Sequence, residues 1–298
     1  MKRLLVLLLL VFLSCSDDKD NGDTNSTEEL LNAIVSAPVA FSYSDVEAQN
    51  FFQIPSLAYI SGYFYFEENL AEDIIFGLDV ELLEGLQNPV RFEGADWMAL
   101  AGFDRTGRLW FPIGYPENLE GTPTGTDNWI VQDFGVDLRP NMWYKMTITA
   151  DFDALEFVSV RLEGDQVDKT LSIEGNALEY PNYAPFTEAS LTAYTFALRG
   201  TEFAPDNPEG WDVYFDDIEM GIQLMSGEFK IIFEDGFENQ TTVNNIPITD
   251  VPIILDQIPE NRWYLENDDA KLLITDKFAR SGQNSLQCSA DLREQSLN

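Results

Sequence analysis

Short segments rich in apolar and aromatic residues recur from about Ser36 onward, with clusters of Gly, Pro, Asn and Asp between them. In the segment 142–150, apolar Met146, Ile148 and Ala150 alternate with polar residues, as in a strand that buries one face. Segments of this kind predict strands at 62–66, 74–83, 97–103, 108–113, 129–134, 142–150, 157–162, 191–199, 211–223, 228–233, 271–275 and 285–290. Many short strands separated by turn signals are typical of an all-β sandwich or barrel.

Local signals predict two hairpins and one helix. The segment 104–107 lies between two predicted strands and ends in Gly107, which adopts a positive φ at no steric cost. The segment 162–167 indicates a second hairpin in the same way. Helical periodicity is confined to residues 26–35, where Leu30, Leu31 and Ile34 follow two glutamates, so we predict one short helix there.

The order of the strands suggests a fold family. The segments WMALAGF at 97–103 and GRLWF at 107–111 are followed by MWYKMTI at 142–148 and by WDVYFDDIEM at 211–220. Over residues 36–223 this order resembles the laminin-G and concanavalin A-like jelly rolls, which implies an all-β jelly-roll β-sandwich. The resemblance is a pattern of spaced strands rather than an invariant motif, so it indicates fold and not function.

Residues 224–298 depart from that order. The segments FEDGFE at 233–238 and ARSGQNSL at 279–286 look like the opening strands of such a domain, yet they come last. Either they supply the first strands of the same sandwich, as in a circular permutation, or they begin a second domain that stops early. Because 75 residues with few strands form a poor independent core, we expect one sandwich over residues 36–298.

The first 35 residues predict export and a lipid anchor. Two basic residues precede an apolar run at 4–13, which is shorter than the roughly 20 residues that span a bilayer and indicates a signal peptide over residues 1–14. The segment FLSC at 12–15 resembles a bacterial lipobox, which implies cleavage before Cys15 and acylation of Cys15. The segment SDDKD at 16–20 resembles the acidic export tag of Bacteroidetes lipoproteins. We therefore expect a lipidated, acidic tether over residues 15–35 and a protein on the outer face of the outer membrane.

Composition excludes several functions. The chain has 17 Lys and Arg against 52 Asp and Glu, a net charge of −35, no histidine and 2 cysteines. So acidic a chain excludes nucleic-acid binding through a basic footprint. Without imidazole there is no Ser-His-Asp triad, no Cys-His pair and no His-ligated zinc or haem. With Cys15 acylated, Cys288 has no disulfide partner, and its alternation with Leu286 and Ala290 predicts a buried thiol.

Carboxylates remain as acid–base groups. The segment Asp216-Asp217-Ile218-Glu219 superficially resembles the Glu-x-Asp-x-x-Glu strand of laminarinase-type glycosidases, whose catalytic acids face each other across about 5 Å. The spacing departs from that motif, because only Asp217 and Glu219 share a face beside Asp216. We favour a turn or edge role for these residues, with catalysis as the alternative.

A chain with many oxygen ligands and no histidine also suits calcium, which jelly rolls of this kind often carry. The candidate ligands are loop residues: Asp206, Asn207 and Glu209 as first choice, Asp127 with Asn128, and Asp151 with Asp153. None of these clusters has the spacing of an EF-hand loop, and solvated loop acids are the alternative interpretation.

Aromatic side chains in loops are candidates for carbohydrate binding, because a flat ring packs on the apolar face of a sugar while amides and carboxylates bind its hydroxyls. The candidate glycan ligands are Tyr115, Asp127, Asn128, Trp129 and Tyr183. The strand aromatics are expected in the core instead, namely Phe64, Phe66, Trp143 and Phe215.

Together these features predict a lipid-anchored surface protein that binds a glycan or polysaccharide through a lectin-like β-sandwich, without catalysis. The expected partners are a carbohydrate polymer and the membrane, the latter through the lipid on Cys15; nucleic acid is not expected. Two alternatives stay open, a carboxylate-based glycoside hydrolase and an adhesion or structural lipoprotein that recognises protein or matrix.

Overall fold

Two antiparallel β-sheets pack face to face as a jelly-roll sandwich, which confirms the predicted all-β fold. The computed structural model describes residues 33–40, 57–83, 96–114, 129–178, 190–199, 211–224, 226–239, 263–265 and 271–290. In these residues no helix is long and apolar enough to cross a membrane.

In the part of the chain that the structure describes, the first sheet has seven strands, all paired antiparallel. In spatial order they are β13 (Tyr264–Leu265), β1 (Ala33–Ala40), β10 (Ser190–Arg199), β3 (Ile74–Leu83), β4 (Asp96–Asp104), β5 (Arg108–Pro112) and β6 (Trp129–Asp133). The β4–β5 connection is the predicted hairpin, with Gly107 at a φ of 85° and its N–H donating to the Asp104 carbonyl over 2.9 Å.

The second sheet has eight strands among the described residues. In spatial order they are β14 (Lys271–Thr275), β15 (Ser285–Ala290), β11 (Trp211–Gln223), β2 (Leu57–Phe66), β7 (Tyr144–Asp151), β8 (Glu156–Gly164) and β9 (Val167–Ser172), with β12 (Phe229–Asp235) paired to β11. Three of these strands, β12, β14 and β15, follow Leu224 in the chain, and β15 pairs along the first half of β11.

The main core lies between the sheets and follows from period-2 alternation. On β7 the side chains of Met146, Ile148 and Ala150 are buried, while the intervening residues are half-buried on the other side. The predicted core aromatics Phe64, Phe66 and Phe215 are buried here as well. Trp143 differs, because it precedes β7 on the outer side, where its ring centroid lies 5.3 Å from that of Tyr65.

The helix predicted for residues 26–35 is wrong over its last three residues. Ala33, Ile34 and Val35 begin β1, where they pair with Ala197, Phe196 and Thr195 of β10. Residues 26–32 lie outside the described residues. The local helical pattern is overridden here because pairing with a neighbouring strand satisfies the backbone of this segment.

Cys288 occupies the main core, as predicted. It is fully buried on β15, and its Sγ lies 3.8 Å from the Thr195 Oγ1 of the opposite sheet. Burial raises the pKa of the Cys288 thiol to about 12, so the thiol stays protonated and behaves as a small apolar side chain.

Candidate functional site

Of the five predicted glycan ligands, Trp129 is the one that the structure describes. It begins β6, is half-buried, and packs against an apolar cluster on the outer face of the seven-stranded sheet. The other four lie outside the described residues: Tyr115, Asp127, Asn128 and Tyr183.

The first-choice calcium ligands Asp206, Asn207 and Glu209 also lie outside the described residues. Asp151 ends β7, where its Oδ1 accepts hydrogen bonds from the backbone N–H groups of Asp153 and Ala154 at 2.8 and 3.0 Å. This carboxylate therefore caps the β7–β8 turn. Among the described residues no group of three or more Cys, Asp or Glu side chains is placed to hold a metal ion.

The outer face of the seven-stranded sheet is a second apolar core. We call it the outer cluster, and its members are Ile75, Met98, Leu100, Trp110, Tyr194, Phe196 and Leu198. All are at most 5% exposed, although they point away from the main core. Gly102 makes room for the Phe196 ring, because a Cβ at position 102 would lie 2.8 Å from Phe196 Cζ.

Among the described residues, three buried carboxylates lie on this outer face: Asp79, Glu81 and Asp104. Asp79 and Glu81 are alternate residues of β3 and lie opposite Leu100 and Met98 of β4. Their spacing suits a pair of acids on one face of a strand. Each is only 1% exposed, however, whereas a glycosidase pair must contact a polymer that arrives from solvent.

Asp104 has a structural role. Its Oδ2 accepts hydrogen bonds from Arg108 Nε at 2.6 Å and from Trp110 Nε1 at 2.9 Å, and its Oδ1 accepts the backbone N–H of Thr106 at 2.9 Å. The carboxylate thus ties the β4–β5 hairpin to the outer cluster, because one buried acceptor satisfies several donors.

The outer face of the eight-stranded sheet carries tyrosines. Tyr59, Tyr63 and Tyr65 of β2 alternate with the buried core residues Ala58 and Phe64, so all three point outward. Tyr63 lies opposite Asp216 on one side and Lys145 on the other. This row runs along the middle of the sheet, since β2 lies between β11 and β7.

The β14–β15 loop, residues 276–284, covers one end of the tyrosine row. The Phe278 ring centroid lies 4.4 Å from that of Tyr65 and 5.0 Å from that of Tyr214. The Arg280 guanidinium lies 4.7 Å from the Tyr63 ring centroid. Rings and cation therefore form a small packed layer over the sheet, and Tyr65 is left only 6% exposed.

Lys277 anchors the start of the same loop. Its Nζ donates to Glu67 Oε2 at 2.7 Å and to the Tyr214 hydroxyl at 3.0 Å. These two hydrogen bonds hold the pKa of Lys277 well above its ordinary value, so the ammonium stays charged.

Asp216 holds the centre of the loop from below. It sits at a bulge of β11, is fully buried, and its Oδ2 accepts the backbone N–H groups of Arg280 and Ser281 at 2.7 and 3.2 Å. Burial raises the pKa of Asp216 to about 6, although these hydrogen bonds act in the opposite direction. The predicted turn or edge role is thus replaced by a bulge within a strand that is paired on both sides.

The other end of the tyrosine row forms a partly exposed apolar surface, the Tyr59 platform, made of Tyr59, Gly221, Phe229 and Ile231. The Tyr59 ring lies directly on Gly221, where an added Cβ would be 2.3 Å from Tyr59 Cε1. The Phe229 ring meets Tyr59 edge-on with 5.4 Å between centroids. Phe229 and Ile231 are each 48% exposed, so the platform faces solvent.

Polar groups border the platform. The Tyr59 hydroxyl donates to Glu219 Oε1 at 2.6 Å, and Gln223 Nε2 donates to the Gly227 carbonyl at 3.0 Å. Burial and the Glu219 carboxylate raise the pKa of the Tyr59 phenol, so it remains the donor of this bond. A partly exposed aromatic pair with a carboxylate and an amide beside it can pack on a sugar ring and bind its hydroxyls.

Sequence reasoning did not find the Tyr59 platform. The signal in the sequence is the outward set Tyr59, Tyr63 and Tyr65 in LAYISGYFYF, but the opposite face of this strand is aromatic too. The exposed Phe229 belongs to β12, whose pairing partner is fixed only by the fold.

No family model matches the chain, and no curated protein matches it. Among solved structures, the chain is similar to Scytalido-glutamic peptidase with a peptide based transition state analog, at 13% identity, 88% of this chain, 100% of that chain and a TM-score of 0.35. It is also similar to the marine PL-14 alginate lyase from Aplysia kurodai, at 12% identity over 59% of this chain and 85% of that chain, with a TM-score of 0.30. A third similar structure is alginate lyase vAL-1 from Chlorella virus, at 10% identity over 60% of this chain and 87% of that chain, with a TM-score of 0.28. Likeness at this level carries no argument about function.

Proposed function

We propose that this chain is a non-catalytic carbohydrate-binding protein, anchored in the outer membrane through a lipid on Cys15, and that it binds polysaccharide at the Tyr59 platform. The observation that supports the proposal is the edge-on pair of the half-buried Tyr59 and the exposed Phe229, with the Tyr59 ring packed on Gly221. Burying such rings against the apolar face of a sugar removes apolar area from water.

The platform also carries the polar groups that orient a sugar. Glu219 is fixed by its 2.6 Å bond from Tyr59, and the Gln223 amide lies at the same end of β11. A preorganised acceptor loses little entropy on binding a hydroxyl, which favours affinity.

Two features favour binding over hydrolysis. The same-face acids Asp79 and Glu81 are buried beside the outer cluster, and Asp216 is occupied by the backbone of the β14–β15 loop. A retaining or inverting glycosidase needs two carboxyl groups that both reach the substrate.

The proposal predicts that Tyr59→Ala weakens polysaccharide binding by about tenfold, because a lost ring contact of roughly 1.4 kcal/mol is a factor of ten. Affinity gel electrophoresis of the lipid-free chain with a panel of soluble plant, algal and bacterial polysaccharides would identify the polymer retained, and calorimetry would measure it. Leu273→Ala is the matched control, since Leu273 is 47% exposed on the same sheet but lies outside the platform.

Further measurements distinguish the proposed site and function from the alternatives. Loss of binding in Trp129→Ala with full binding in Tyr59→Ala would place the glycan on the seven-stranded sheet and overturn the platform. Release of reducing sugars from a polysaccharide would favour the glycoside hydrolase and overturn the proposal that the protein is non-catalytic. We also propose calcium at Asp206, Asn207 and Glu209, and binding should then fall in EDTA. Retention of no polysaccharide by the unmodified chain would favour an adhesion role and contradict the proposal.

A further inference from the structure

We infer that the Tyr59 platform selects neutral polysaccharides over carboxylated or sulfated ones. This inference rests on the proposed function and adds the class of polymer that the site accepts. It follows from where the charges of the outer face lie relative to Tyr59.

The charge at the platform is negative. Glu219 Oε1 lies 2.6 Å from the Tyr59 hydroxyl, so the carboxylate stands at the rim of the ring against which a sugar would pack. The two chain neighbours of Phe229, Glu228 and Lys230, are both exposed and carry opposite charges, so together they add no net charge beside the platform. An acidic sugar on the Tyr59 ring would bring its own charge close to Glu219, at a separation where Coulomb repulsion between surface charges is substantial.

Cations of the same face stand elsewhere and are engaged. Arg280 and Lys145 lie over the Tyr63 ring, at 4.7 and 5.9 Å from its centroid, and Lys277 donates to Glu67. Tyr63 is four residues from Tyr59 along β2, which corresponds to about 13 Å. That separation exceeds the Debye length of about 8 Å at physiological ionic strength, so these cations do little for a charge at the platform.

Another cation of this face is engaged by two carboxylates. Arg161 on β8 lies 3.0 Å from both Glu163 and Asp168. A neutral polymer avoids the Coulomb repulsion from Glu219, because its hydroxyls are uncharged and can donate to this carboxylate.

The test uses pairs of polymers that share a backbone and differ in whether their substituents are charged: hydroxyethyl against carboxymethyl cellulose, methyl-esterified against free polygalacturonate, and dextran against dextran sulfate. Where the protein retains at least one polymer of a pair, we expect the neutral polymer to bind more tightly than the charged one, by about tenfold or more. A charged member that binds as tightly as its neutral counterpart would overturn the inference.

The variant Glu219→Gln sharpens the test, because the amide oxygen still accepts the Tyr59 hydroxyl while the charge is gone. It should reduce the preference for the neutral member at least about threefold. Glu174→Gln is the control, since it removes one charge from an exposed position beyond β9, three strands away from β2. Equal preference in Glu219→Gln and the unmodified chain would also overturn the inference.

The two proposals fail in different ways. Retention of charged members alone, abolished by Tyr59→Ala, would contradict the selectivity and leave the binding site in place. If no polymer of the three pairs or of the wider panel were retained, the proposed function would fail, and the inference with it.

Discussion

In both sheets the strands alternate between residues that face the main core and residues that point outward. The outward residues are buried on one sheet and partly exposed to solvent on the other. On the seven-stranded sheet the outward residues of β4 and β10 include Met98 and Phe196, and both are fully buried. On the eight-stranded sheet the outward residues of β2 and β12 include Tyr59 and Phe229, which stay in contact with solvent. A strand that alternates therefore has one certain core face, and its second face becomes core or binding surface according to what covers it.

The eight-stranded face shows both states within one row of tyrosines. The β14–β15 loop buries Tyr65 under Phe278, whereas Tyr59 has Phe229 at its ring edge and stays partly exposed. The difference lies in the anchors: Lys277 and Asp216 fasten the loop at one end of the row. At Tyr65 the chain's own loop packs against the tyrosine ring, whereas at Tyr59 part of the ring remains accessible to solvent.

The largest expected effect tests whether the outer cluster is a true core. Phe196→Ala should lower the free energy of unfolding by about 3–5 kcal/mol, because it deletes a buried ring that the neighbouring Gly102 is shaped to receive. Chemical denaturation monitored by tryptophan fluorescence measures the change. A loss below about 1 kcal/mol would mean that this face is not packed as a core.

An intermediate effect concerns the anchor of the loop. Because the folded-state pKa of Asp216 is raised from 3.8 to about 6, folding favours the protonated acid. The contribution of Asp216 to the free energy of unfolding is therefore largest below about pH 4 and is lost as the pH rises through 6. The total loss is about 3 kcal/mol.

Asp216→Asn removes this titration while the other acids remain. The difference in free energy of unfolding between the unmodified chain and the variant should therefore shift by about that amount from pH 4 to pH 7, in favour of the variant at the higher pH. Denaturant titrations at a series of pH values would measure it. Parallel pH profiles for the two proteins would contradict the raised pKa.

The smallest expected effect comes from the open platform. Phe229→Ala, the same substitution as Phe196→Ala, should change the free energy of unfolding by less than about 1 kcal/mol, because the ring is 48% exposed. The same denaturation experiment compares the two variants directly. A loss as large as that of Phe196→Ala would show that Phe229 is a structural residue and would remove the basis for a binding role.

Particular elements show how far sequence reasoning reached. The strand Ile74–Leu83 was predicted with its observed bounds, because its alternation of Phe76, Leu78 and Val80 with other residues is strong. The edge strand Val167–Ser172 was not predicted as a separate strand, since its side chains alternate only between half-buried and exposed. At residues 33–35 a helical pattern was misleading, because the segment pairs with β10, more than 150 residues away in the chain.

The candidate site was predicted less well than the fold. The sequence favours loop aromatics such as Trp129 as ligands, because loops are the usual location of binding residues. Tyr59 lies instead on a central strand, and its exposure depends on Gly221 and Phe229, which come more than 160 residues later. No local pattern around Tyr59 contains that information.

The sequence by itself determined the elements that depend on near neighbours. Period-2 alternation placed Met146, Ile148 and Ala150 in the core, and Gly107 specified a hairpin through its freedom to adopt a positive φ. The tertiary structure alone decided that Phe196 is core and Tyr59 is surface, although both point away from the main core. Alternation states on which side of a strand a residue lies, whereas burial depends on the distant segments that cover that side, and those long-range contacts are made only when the sandwich assembles.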